Sequence, residues 1–171
     1  TIEQADGNHF FIGTGSGLFR AGIGDGSLKL LSDETVESIS TPVHELYYHV
    51  VSKQLFIGSY KEGVLIYDME GTGKIIPCQS PNNVEINQIV ALNAHELLVA
   101  TGGKGVYKLD VNTYMSEPYI TANYSSYNGM NGNNINDIYV DEEERIARFF
   151  AKLDHMLEIT ARQLHERMEF Q

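Results

Sequence analysis

The chain has 171 residues, 42% of them apolar, which is enough for a packed core and excludes disorder as the state of its bulk. Its 12 Lys and Arg stand against 23 Asp and Glu, a formal net charge of −11 with no basic cluster, so nucleic acid and anionic membrane surfaces are poor partners. The single Cys78 can form neither an internal disulfide nor, alone, a zinc site or redox pair.

In chain order, the first recognisable phrase is Phe10-Phe11-Ile12-Gly13-Thr14-Gly15-Ser16-Gly17-Leu18-Phe19, an apolar strand, a small-residue turn and a second strand. The phrase returns as Leu55-Phe56-Ile57-Gly58-Ser59 with Gly63-Val64-Leu65-Ile66-Tyr67-Asp68. A third copy is Leu97-Leu98-Val99-Ala100-Thr101 with Gly105-Val106-Tyr107-Lys108-Leu109-Asp110. Gly13 to Gly58 is 45 residues and Gly58 to Ala100 is 42, the period of a propeller blade of about four short strands. At Gly13, Gly58 and Ala100 a larger side chain is expected to collide with a neighbouring strand, while Gly17, Gly63 and Gly105 supply turn conformations with positive φ.

A second phrase leads into the later copies. Glu45-Leu46-Tyr47-Tyr48-His49-Val50 runs into Leu55, and Ile86-Asn87-Gln88-Ile89-Val90-Ala91-Leu92 into Leu97. Ile135-Asn136-Asp137-Ile138-Tyr139-Val140 should open a fourth copy. Apolar alternation, a polar turn and a further strand read as hairpins. Between Asp110 and the last of these lies a connection rich in Tyr and Asn: Tyr114, Tyr119, Asn123, Tyr124, Tyr127, Asn128, Asn131, Asn133 and Asn134. Tyr rings stack on sugar faces and amides bond hydroxyls, so Tyr119, Tyr124, Tyr127 and Asn128 are the candidate ligand-binding residues.

All 16 Gly, all 4 Pro and all 10 Tyr fall before residue 141. Residues 1–145 therefore read as the repeat region, with copies near 9–54, 55–96 and 97–145, and residues 146–171 as a separate C-terminal helix, either a coiled coil or a fusion segment joined near Arg145 to Phe149. In that helix Ile146, Phe150, Leu153, Leu157, Thr160, Leu164 and Met168 draw one apolar stripe, and Asp141 to Glu144 precede it at the positive end of the helix dipole. The expected fold is mainly β, an incomplete β-propeller of about three four-stranded blades followed by this amphipathic helix. Self-association is expected through the helix, as a coiled coil, or through open blade edges, since three blades cannot close a ring.

These units resemble the two-component regulator propeller repeats. Asn134-Ile135-Asn136-Asp137-Ile138-Tyr139-Val140-Asp141 matches their first strand. Phe11-Ile12-Gly13-Thr14, Phe56-Ile57-Gly58-Ser59 and Leu98-Val99-Ala100-Thr101 match their Trp-Ile-Gly-Thr element, and Gly17-Leu18, Gly63-Val64 and Gly105-Val106 the strand that follows. The chain has no Trp, so Phe11, Phe56 and Leu98 take that core position. The resemblance covers about residues 8–146. It implies a non-catalytic periplasmic sensor module of a hybrid two-component histidine kinase anchored in the inner membrane, responding to an oligosaccharide. A protein-interaction or oligomerisation fragment without a small ligand is the alternative.

Other chemistry finds little footing. The histidines are scattered, with His44 and His49 on opposite faces of one strand, and the acidic run lacks the spacing of a calcium loop, so no metal site is expected. The Gly-rich turns run into strands rather than helices, and no nucleophile elbow occurs, so neither a cofactor nor a catalytic residue is expected. No apolar run is long enough to cross a membrane, the N-terminus lacks the pattern of a signal peptide, and no membrane contact is expected from this segment. His165 reads as a solvated helix residue rather than a phospho-acceptor.

Overall fold

A computed structural model describes residues 1–35, 39, 41–69, 75–78, 81–111, 118–140 and 147–151. The alternating apolar runs fold as antiparallel strands broken at their Gly, Ser and Asn turns. Strands β1 (Ile2–Asp6), β2 (His9–Thr14), β3 (Gly17–Gly24) and β4 (Ser27–Thr35) form one four-stranded meander. A second is built from β5 (Val43–His49), β6 (Gln54–Ser59), β7 (Val64–Asp68) and β8 (Ile75–Pro77). A third contains β9 (Ile86–Asn93), β10 (Glu96–Thr101), β11 (Val106–Asp110) and β12 (Tyr119–Tyr124). Strands β13 (Ile135–Val140) and β14 (Ala147–Ala151) pair as a hairpin. Each sheet begins one strand upstream of the recurring phrase, so the phrase supplies the two middle strands of each meander.

The C-terminal helix expected over 146–171 does not begin where the pattern placed it. Residues 147–151 are strand, with Ile138 opposite Phe149 and Asp137 opposite Phe150. The backbone of β13 needs partners for its N–H and C=O groups, and a short segment holding two Phe supplies them as readily as it starts a helix. The acidic run 141–144, the remainder of the expected helix and His165 lie outside the described residues. Among the described residues the one helical element is a single 3-10 turn, Ser126–Asn128.

The chain divides into two compact units, Thr1–Ile86 and Asn87–Gln171. In the first, β5 packs against β1 and β2, and the core gathers Phe11 and Leu18 with Val43, Leu46, Leu55, Ile57 and Leu65. Phe11 is fully buried and meets the Tyr67 ring edge-on at 5.7 Å, so the position that carries Trp in the resembled repeat is a core position here. In the second unit β10 packs against β13, and Leu98, Ala100 and Val106 form a core with Met130, Ile135 and Ile138. Every residue of β6 from Leu55 to Ser59 and of β10 from Leu97 to Thr101 is buried, which means that both faces of these middle strands are covered.

The small residue of the phrase has a specific job. A Cβ on Gly13 would lie 2.5 Å from Cγ1 of Val43, the first residue of β5, and one on Gly58 would lie 2.7 Å from Cγ2 of Ile86, the first residue of β9. In the second unit Ala100 shares a core with Ile135, the first residue of β13. In the first unit, the branched residue that opens the next sheet's first strand thus occupies the space left by the missing side chain of the sheet before it. The hydroxyl that follows is equally functional in the fold. Thr101 Oγ1 donates to the Gly105 carbonyl at 2.7 Å and accepts from the Lys104 N–H at 3.0 Å. Thr14 Oγ1 bonds the Gly17 carbonyl and the Ser16 N–H in the same way, and Ser59 Oγ accepts from Glu62 N–H at 2.9 Å. The Gly-Thr or Gly-Ser step therefore carries close packing in its first residue and turn closure in its second.

Substituting Gly58→Val should cost about 1–3 kcal/mol by overpacking against Ile86. Read by urea denaturation, Gly58→Val combined with Ile86→Ala should cost clearly less than the two single changes added together. Strict additivity would show that the two positions do not share the space.

Candidate functional site

From Tyr124 to Asn134 the Tyr and Asn-rich connection forms a platform in the second unit. It leaves β12 at Tyr124, passes Ser125 in extended conformation, makes the 3-10 turn Ser126–Asn128 and ends that turn at Gly129, whose φ of 105° is left-handed. Met130 is buried beneath it and ties it to the core of Leu98, Val106 and Ile135.

Three of its amides, those of Asn123, Asn128 and Asn133, hold the turn. Asn128 Oδ1 accepts from the Ser125 N–H, its Nδ2 donates to the Asn123 carbonyl, and its own N–H donates to the Ser125 carbonyl at 3.0 Å. Asn133 accepts the Ser126 N–H on Oδ1 at 2.6 Å and the Gly105 N–H on its carbonyl at 2.8 Å. Asn123 Nδ2 reaches the Lys104 carbonyl at 3.0 Å. The 3-10 turn is thereby fastened to the β10–β11 turn. Gly105 is required at that junction, because it has a φ of 83° and a Cβ there would run into the Tyr124 carbonyl.

Of the four candidate binding residues, three come together and one does not. Tyr124, Tyr127 and Asn128 lie at the same end of β12 or just beyond it, whereas Tyr119 begins the strand, five residues or about 16 Å away along an extended chain. The Tyr119 hydroxyl points to Asp110 Oδ2 at 3.4 Å. Tyr124 packs half-buried against the core, and burial raises its hydroxyl pKa, with Lys108 opposing and Glu96 reinforcing that shift. Of the three tyrosines, Tyr127 alone is presented outward. It is 97% exposed at the crest of a turn whose backbone is fixed on both sides, so a flat aromatic surface is offered without the entropy cost of ordering a loop. Tyr114 lies outside the described residues.

An ion pair beside this platform was not legible as a site component. Lys108 Nζ bonds Glu96 Oε1 at 2.7 Å, with both side chains largely shielded. Partial burial acts to lower the Lys108 pKa, but the Glu96 hydrogen bond and charge, with Tyr124 and Asp110, outweigh it and raise it. The two lie on adjacent strands, with Glu96 opposite Asp110 and Lys108 opposite Leu98, a diagonal pairing that only the hairpin register reveals. In the first unit, His49 is buried, meets the Phe56 ring edge-on at 6.3 Å and accepts the Ser52 N–H on Nδ1, while His44 stands 3.6 Å from Glu85. Among the described residues no group of three His, Cys, Asp or Glu is placed to hold a metal ion, and no helix is long and apolar enough to cross a membrane.

No protein-family model matches the chain, and no curated protein matches it either. Solved structures do. The extracellular domain of a hybrid two-component system of B. thetaiotaomicron superposes with a TM-score of 0.71 at 19% identity over 95% of this chain. A second such domain from B. thetaiotaomicron gives 0.61 at 18% identity over 87% of the chain. PorZ of Porphyromonas gingivalis, a bacterial surface component of the type-IX secretion system, gives 0.61 at 14% identity over 82%. These likenesses establish the fold. The chain spans only 23%, 18% and 23% of the length of those three proteins.

The bonding pattern separates a supporting residue from a presenting one. Asn128→Ala, which leaves the Ser125 N–H without its acceptor, should destabilise the protein by about 1–2 kcal/mol in urea denaturation. Tyr127→Ala should stay within about 0.5 kcal/mol of the parent, as a surface change away from packing does.

Proposed function

We propose that this chain is a stretch of β-propeller from the periplasmic sensor region of a two-component receptor, a non-catalytic module that reads a carbohydrate signal. The observation that carries the reading is the recurrence of one four-stranded antiparallel meander, spaced by 45 and 42 residues at its small-residue position, in a chain that superposes over 95% of its length on the extracellular domain of a hybrid two-component system. Middle strands covered on both faces suit blades stacked in series. The module stands outside the inner membrane that anchors its parent, and its open sheet edges are the surfaces through which blades of further chain, or of a second copy, complete the array.

Within this reading Tyr127 is the stacking surface for a sugar ring. Its rigid support and near-complete exposure suit a sugar face, and the net charge of −11 favours a neutral glycan over an acidic one. A second reading, a propeller segment that binds protein and no small ligand, draws on Val50 and Val51, 72% and 54% exposed at the tip of the β5–β6 turn, and on the similarity to a secretion-system surface component.

Calorimetric titration of the protein with a panel of neutral oligosaccharides should find a binder. Tyr127→Ala should weaken that binding by about 1–2 kcal/mol, on the order of tenfold, with folding unchanged. A panel without a binder would leave the protein-interaction reading in its place, and a binder indifferent to Tyr127→Ala would move the site elsewhere on the module.

A further inference from the structure

Asn-Gly occurs twice in the sequence, at Asn128-Gly129 and Asn131-Gly132, and both steps fall in the platform that carries Tyr127. An Asn followed by Gly is chemically labile, because glycine has no side chain to shield its nitrogen from the preceding side chain. The backbone nitrogen of the glycine attacks the Asn Cγ and forms a new N–C bond. The Cγ–Nδ2 bond breaks, and the glycine N–H proton leaves through solvent as ammonia departs. Water then opens the five-membered succinimide at either carbonyl, giving aspartate or isoaspartate. Neither an oxidant nor a cofactor is needed.

The two steps differ in how the fold treats them. Asn128 holds both ends of its side-chain amide in hydrogen bonds, Oδ1 to the Ser125 N–H and Nδ2 to the Asn123 carbonyl. Rotating its Cγ toward the Gly129 nitrogen would break both. Asn131 is exposed, and among the described residues none bonds its side-chain amide or the Gly132 N–H. Every other Asn of the described platform precedes a residue with a side chain: Asn123 precedes Tyr124, Asn133 precedes Asn134 and Asn134 precedes Ile135.

We propose that Asn131 is a built-in site of spontaneous deamidation, and that its conversion loosens the platform under Tyr127. The modified residue is two positions from Asn133, whose side chain and carbonyl hold the Ser126 and Gly105 N–H groups. Isoaspartate inserts a methylene into the main chain at that point and adds a negative charge to a chain already at −11. The displaced Asn133 then releases the 3-10 turn from the β10–β11 turn, so the ring loses its fixed orientation while the core beneath it stays packed.

The test is peptide mapping by mass spectrometry after incubating the folded protein in mildly alkaline buffer. A matched sample in denaturant serves as reference, because there the two Asn-Gly steps should react alike. The folded protein should gain the mass difference of NH2 replaced by OH, with an isoaspartate form resolved by retention time, predominantly at Asn131 and much more slowly at Asn128. Gly132→Ala should abolish most of the change. It is a benign substitution for the fold, since an added Cβ at Gly132 meets nothing within 4 Å. Hydrogen exchange should then report faster exchange at Ser126 and Gly105 in the aged parent and no acceleration in aged Gly132→Ala. Equal modification of both steps in the folded state, or modification confined to Asn128, would overturn the site assignment. Modification at Asn131 with unaltered exchange at Ser126 and Gly105 would overturn the link to the platform.

Discussion

At Gly13 the side chain of Val43 fills the place where a Cβ would stand, and at Gly58 the side chain of Ile86 does the same. Each of these contacts joins the end of a sheet's second strand to the first residue of the next sheet's first strand. The rest follows from that approach. The branched residue can be buried only if the strand before it carries no side chain there, and once it is buried its own sheet is held in register, since a slip of one residue would turn it outward. The hydroxyl after the glycine then closes the turn that returns the third strand, so two adjacent residues fix both the packing and the topology of a meander.

This economy explains which parts of the molecule could be read from the amino acids. Strand, turn and strand are local, and at Phe11-Ile12-Gly13-Thr14 and its two later copies the pattern sits within a few residues, so the hairpins and their period were visible. The collision at Gly13 and Gly58 is legible too, although the residues that cause it are 30 and 28 positions further on and carry no local signal. Strand β14 failed for the opposite reason. Arg148-Phe149-Phe150 fits a helical stripe with the residues after it, and what makes it a strand is the unpaired edge of β13, a partner that no periodicity within the segment encodes.

The candidate site was half legible on similar grounds. Composition pointed to the connection after Asp110, because Tyr and Asn are concentrated there, but it could not distinguish an amide that faces a ligand from one that holds the backbone. Asn128, Asn123 and Asn133 turn out to be fastenings, each reaching a main-chain group that only the folded geometry brings within 3.0 Å. Tyr119 was separated from the others by the length of β12, and Tyr124 was taken by the core. What remains is a single ring on a stiff support. A recognition surface needs little else if the energy of binding comes from a flat apolar face held ready in advance.

In the proposed propeller successive meanders are blades of one array, and Gly13 and Gly58 are the positions at which Val43 and Ile86 key one sheet to the next. A crystal structure of the protein tests this arrangement. As blades of one propeller, consecutive sheets should be related by one repeated rotation about a common axis, with Val43 seated over Gly13 and Ile86 over Gly58 on the side nearest that axis. Sheets stacked face to face as a sandwich, or Val43 and Ile86 turned away from those glycines, would contradict it.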